Sequence, residues 1–121
     1  MAGMKKLLSW CRSLALLWRH WRIVGYVTAA DEIPTQLPAK GVILVGLDDS
    51  PTWAVLDCPC PREHRLMVNL DKSRHPVWTI DSTKPLTIRP SIDDITPDRR
   101  CHFVLRRGRI RWALPERRVS S

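Results

Sequence analysis

The apolar residues of the chain fall into two textures. From residue 5 to 22 they recur at three- and four-residue steps, as Leu7, Trp10, Cys11, Leu14, Leu17, Trp18 and Trp21, while Lys5, Arg12 and Arg19 fall together on the opposite side. That spacing predicts an amphipathic helix with an apolar stripe and a basic back. After Tyr26 the apolar runs are short and broken by Pro, Gly, Asp and Ser, the pattern of a β domain with many turns. Strands are expected over 22–28, 41–47, 52–58, 65–70, 77–80, 86–89, 102–106 and 109–113. Pro34, Pro38, Pro51, Pro76, Pro85, Pro90 and Pro97 are expected between them, where a missing N–H costs no ladder bond.

Arg107-Gly108 gives the clearest local signal, because it separates two runs rich in β-branched and aromatic residues and offers a glycine for a positive φ. A two-residue hairpin there sets Leu105 opposite Ile110 and Phe103 opposite Trp112, turns Cys101 to the same apolar side, and leaves Arg106, Arg109 and Arg111 outside. His102 then faces the other side if the strand is regular from its start. The expected fold is mainly β: a small antiparallel β domain with a zinc site over 23–114, preceded by an N-terminal helix over 1–22 and followed by a flexible tail over 115–121.

Composition limits the chain to one domain, since 121 residues at 44% hydrophobic content leave no room for two cores. The net charge of +8 is bipolar: five basic residues and no acid over 1–26, eight arginines against Glu116 over 99–121, and a slightly acidic stretch between. Such a distribution steers toward polyanions or acidic partners, or simply solubilises a small domain. Arg12 and the Trp18-Arg19-His20-Trp21-Arg22 run interrupt the apolar N-terminal stretch, which excludes a secretion signal and a membrane span. The chain therefore reads as cytoplasmic, a reducing compartment in which cysteines serve as metal ligands or buried thiols more often than as disulfides.

Cys58-Pro59-Cys60-Pro61 follows a strand, and its prolines stiffen a turn that can present two thiolates to one ion. Cys101-His102 adds a third sulfur and an imidazole, completing the composition of a closed structural zinc site. Adjacent residues of a strand point to opposite faces, however, so Cys101 and His102 share an ion only if the backbone is irregular there. His64 competes with His102 for the fourth position, and water is a further alternative; buried thiols without metal also fit the pattern. A thiolate nucleophile fits poorly, because no Cys-His pairing comes with an orienting acid and an oxyanion loop.

Several segments occur in an order that resembles the bacterial domain-of-unknown-function family 6527. They are Asp31-Glu32-Ile33-Pro34 to Leu37-Pro38, the runs 41–46, 53–60 and 66–70, Pro76-Val77-Trp78, Leu86-Thr87-Ile88-Arg89-Pro90-Ser91-Ile92, and Cys101-His102-Phe103 through Trp112. The resemblance covers nearly all of 22–114. It implies a metal-binding protein encoded beside ubiquitin-like proteins, activating and conjugating enzymes and a metal-dependent deconjugating peptidase, in clusters associated with antiviral defence. Where the family often continues Cys-Pro-Cys with Gly-Cys-Gly, this chain has Pro61-Arg62-Glu63, which raises the weight of His64 and His102 as ligands. The family's Pro-Ser-Ile segment matches Pro90-Ser91-Ile92, a conformational feature with no assigned chemistry.

The favoured role is a zinc-binding accessory or scaffold protein of a ubiquitin-like conjugation system, acting by protein contact, with the question of an enzymatic activity left open. A zinc-stabilised nucleic-acid binder using the arginine-rich C-terminal hairpin is the alternative. A hydrolytic metal enzyme ranks last, since no carboxylate or histidine motif accompanies the cysteines.

Overall fold

The computed structural model describes residues 20–47, 49–61, 64–97 and 99–113. The helix expected over 5–22 lies outside these residues except at its end, where Trp21 is not helical and Arg22 already begins a strand. The backbone N–H of Trp21 donates to the carbonyl of Gly108 at 2.7 Å, so the entry to the domain is tied to the last hairpin.

Two four-stranded sheets form the domain. The first runs β1 (Arg22–Val27), β2 (Gly41–Leu47), β3 (Ser50–Asp57), β4 (Arg65–Asn69), and the second β5 (Thr79–Thr83), β6 (Leu86–Thr96), β7 (Arg99–Arg106), β8 (Arg109–Trp112), each in sequence order. Pairing is antiparallel except between β1 and β2, which are parallel, correcting the all-antiparallel expectation. The reason is the connection 28–40: it includes a short 3-10 turn at Ala30–Glu32 and crosses the sheet, so β2 starts at the same end as β1.

The sheets pack face to face. Val42, Leu44, Ala54, Leu56, Leu66 and Val68 of the first meet Leu86, Ile88, Ile92, Phe103 and Leu105 of the second in one buried cluster. The uninterrupted apolar run of β2 has its own cause: alternate residues Ile43 and Val45 point to the outer face, where the 28–40 connection covers them with Ile33 and Leu37. Arg65 holds that cover down, its guanidinium donating to the carbonyls of Pro34 (3.1 Å) and Thr35 (2.9 Å).

β6 is longer than its sequence suggested. The expected strand stopped at Arg89 because of Pro90, yet pairing with β7 resumes at Ile92 and runs to Thr96. Between Ile88↔Leu105 and Ile92↔Phe103 the register skips residues 89–91 on β6 against Val104 alone on β7, a bulge in which a proline forfeits no ladder bond. Pro51, in β3, is the other proline found inside a strand. The β7–β8 register is Phe103↔Trp112 and Leu105↔Ile110, and both turn residues, Arg107 (φ 53°) and Gly108 (φ 74°), are left-handed as a type I′ turn requires.

The connection 70–78 is organised by one buried side chain. Asn69 Nδ2 lies 3.0–3.1 Å from the carbonyls of Asp71, Arg74 and Pro76, and its Oδ1 accepts from the Asp71 N–H at 3.0 Å. Asn69→Ala should lower stability by about 2 kcal/mol, read as a shift of the urea midpoint at constant slope. Asn69→Asp, which cannot donate, should do no better.

Candidate functional site: a thiol cluster and a serine–histidine pair

Two groups of polar side chains sit on opposite faces of the β6–β7 pair. The residues of β7 alternate strictly, with Cys101, Phe103 and Leu105 buried and His102 and Val104 half-buried on the far side. Cys101 and His102 therefore diverge, as a regular strand demands.

Cys101 points toward the connection between β3 and β4. There the chain leaves β3 through Cys58-Pro59-Cys60-Pro61 and closes again where the Cys58 N–H donates to the His64 carbonyl at 2.7 Å. One potential ligand atom from each of Cys58, Cys60, His64 and Cys101 lies within 4.8 Å of the others. The chain thus brings together the three cysteines singled out in the sequence with His64; the His102 ring is on the opposite face. Burial pushes the Cys58 thiol up to about 12 and raises Cys101 as well, so without a cation both hold their protons. Three sulfurs and an imidazole at this spacing suit a four-coordinate soft-ligand ion and leave no open position for an activated water. His64 is further arranged like a ligand, with Nε2 3.6 Å from Cys101 Sγ and Nδ1 3.5 Å from Asp94 Oδ2, a carboxylate in position to fix the tautomer of a metal-bound imidazole.

On the other face, His102 Nε2 lies 2.8 Å from Ser91 Oγ. The β6 bulge places this pair: by skipping residues 89–91 it frees Ser91 from the ladder just before regular pairing sets Asp93 directly opposite His102. Trp78, the end of the loop that Asn69 organises, donates its indole N–H to the Ser91 carbonyl at 3.0 Å. Asp93 accepts from Arg100 at both oxygens (3.0 and 2.8 Å), and that ion pair, with a smaller contribution from His102, holds its carboxyl below the usual range. A serine hydroxyl on an imidazole with a carboxylate alongside is the arrangement that activates oxygen as a nucleophile.

Sequence reasoning gave Ser91 no chemistry. Pro90-Ser91 marks a bulge that re-aims a side chain only once the β7 register opposite it is known. Of the remaining histidines, His75 is an exposed loop residue, and His20 lies by Arg109 and lines a cavity together with Cys58 and Pro59.

The fold and these two groups define a small β-sandwich protein with three thiols and an imidazole close enough to hold a metal ion, and with a serine–histidine pair. Over residues 29–113 the chain matches the family described as "Bacterial ubiquitination-like system serine protease (BubE)", and it belongs to that family. No curated protein and no solved structure matches it. Among the described residues no helix is long and apolar enough to cross a membrane.

Proposed function

We propose that this protein is a serine hydrolase of a bacterial ubiquitination-like system, cleaving peptide or isopeptide bonds of its conjugates or precursors in the cytoplasm. The observation that carries the reading is the 2.8 Å contact between Ser91 Oγ and His102 Nε2, and the family's description names the same chemistry. In this mechanism His102 takes the hydroxyl proton as Ser91 Oγ bonds to the acyl carbon. It then returns that proton to the leaving amine as the C–N bond breaks, and a water repeats the sequence to release the acyl group. Asp93, beside His102, favours the imidazolium that forms in between. Trp78 anchors the peptide group that carries the nucleophile.

The metal in this reading is zinc, held by Cys58, Cys60, His64 and Cys101 in a structural role. Bound there, it supplies a cross-link between the β3–β4 connection and β7, one residue from His102. The Asp94 carboxylate beside His64 should matter for retention, because partners of this kind typically change metal affinity 10–100-fold. Asp94→Ala protein should lose zinc to a competing chelator at concentrations the wild type tolerates, measured by elemental analysis after dialysis.

A role in contacting protein partners of the conjugation system is part of the same reading, since a hydrolase of conjugates must recognise them. The nucleic-acid alternative has less support: Phe103 is 0% exposed, so the arginine hairpin lacks one of the two rings that a stacking platform would use. The test of the reading is labelling by a fluorophosphonate probe followed by peptide mapping. Modification at Ser91 is expected, and an unmodified Ser91 in folded, zinc-loaded protein would sink the assignment.

A further inference from the structure

The outer side of β6 is open next to Ser91. β5 pairs with β6 only as far as Thr79↔Arg89, whereas β6 continues to Thr96. Which peptide groups face that open side follows from the register. The Ala113 N–H donates to the His102 carbonyl, so the even-numbered residues of β7 bond toward β8 and the odd-numbered ones toward β6. Through the pairs Ile92↔Phe103 and Asp94↔Cys101, residues 92, 94 and 96 of β6 are then bonded to β7, and Ser91, Asp93 and Ile95 turn their N–H and C=O groups away from it. The Ser91 carbonyl agrees with this assignment: its partner is the Trp78 indole and not a strand. Among the described residues no strand covers Asp93 or Ile95 on that side.

Exposed strand edges are commonly blunted by charge or proline because they template pairing with another chain. This edge ends instead in Ile95, an isoleucine that is 68% exposed and shares the outer face with Ser91 and His102. Four residues of strand separate it from Ser91, about 13 Å.

We propose that an extended segment of the substrate protein adds to β6 as an antiparallel strand over Ser91–Thr96, with its scissile residue at Ser91 and an apolar side chain four residues toward its N-terminus over Ile95. The inference rests on the serine hydrolase reading and deepens it by naming the substrate class: an unfolded, extended polypeptide segment, recognised through its backbone. An antiparallel partner exchanges both hydrogen bonds with Asp93 and again with Ile95. The residues between them face away, so backbone recognition has a two-residue period.

The experiment uses full-length, zinc-loaded Ser91→Ala protein and a blocked hexapeptide, Thr-Leu-Thr-Val-Thr-Gly, whose glycine corresponds to the scissile residue. Amide hydrogen exchange is followed by NMR. In the free protein the Asp93 and Ile95 amides should exchange much faster than those of Ile92 and Asp94, and saturating peptide should slow them at least tenfold. N-methylation of the peptide at its second or fourth residue should abolish the protection, and at its third or fifth should leave it. Ile95→Asp should weaken binding at least tenfold. The proposal is overturned if the two amides are already slow without peptide, if peptide leaves them fast, or if the effect ignores the position of the methyl group. Fluorophosphonate labelling of the wild type depends on the nucleophile alone, so it separates failure of this edge from failure of the hydrolase reading.

Discussion

Ser91→Ala is expected to reduce cleavage of a ubiquitin-like fusion or conjugate by at least about a thousandfold, since removing the nucleophile of such a pair typically costs that much or more. The loss should come without a change in melting temperature, because Ser91 sits in a bulge that makes no pairing with β7. His102→Ala should cost a similar factor, and the double variant should be scarcely worse than either single one. That non-additivity is the sharper result: residues that act as a unit in one proton transfer lose their joint contribution once, whereas two independent contributions would multiply. Trp78→Phe keeps an aromatic ring but removes the N–H held by the Ser91 carbonyl, and it should lower turnover more than it weakens substrate binding. If Ser91→Ala retains substantial activity in protein free of contaminating proteases, the nucleophile lies elsewhere.

The sequence showed the strands more clearly than the site. Alternation and turn residues located the centres of most of the strands, and the Arg107-Gly108 turn fixed the β7–β8 register to the residue. Two features resisted. The parallel pairing of β1 with β2 depends on where the 28–40 connection goes, and that is decided by Ile33 and Leu37 covering Ile43 and Val45, a long-range packing choice with no local signature. The continuation of β6 through Pro90 was hidden because proline is a strand breaker except at a bulge, and a bulge is recognisable only once its partner strand is known.

That second difficulty is why the serine–histidine pair was missed while the cysteines were found. Cys58, Cys60 and Cys101 announce themselves by residue type, because cysteines clustered with a histidine are the ordinary composition of a soft-ligand metal site. Serine is common, and Ser91 acquires meaning only through the β6–β7 hairpin that lays Asp93 against His102. The same hairpin separates the two candidate imidazoles. Cys101 and His102 are neighbours in a regular strand, so one face takes the sulfur and the other the ring, and His64 completes the cluster from the β3–β4 connection.

Chelation separates a structural from a catalytic metal, and here it should unfold the protein. A structural zinc contributes on the order of 10 kcal/mol, comparable with the entire 5–15 kcal/mol that stabilises a typical domain. The cluster joins the β3–β4 connection of one sheet to β7 of the other, and Cys58 and Cys101 are only 6% and 4% exposed. Removing the cation leaves buried thiols without the coordinate bonds that would tie the β3–β4 connection to β7, so a strong chelator, or Cys58→Ser, or Cys101→Ser, should yield protein that aggregates or melts many degrees lower by circular dichroism. Hydrolytic activity should disappear in step with the fold, because Cys101 and Asp94 are the immediate neighbours of His102 and Asp93. Activity lost while the melting curve stays unchanged would point to a metal in the reaction itself. An unchanged melting curve with full activity would mean that the thiols hold no metal at all.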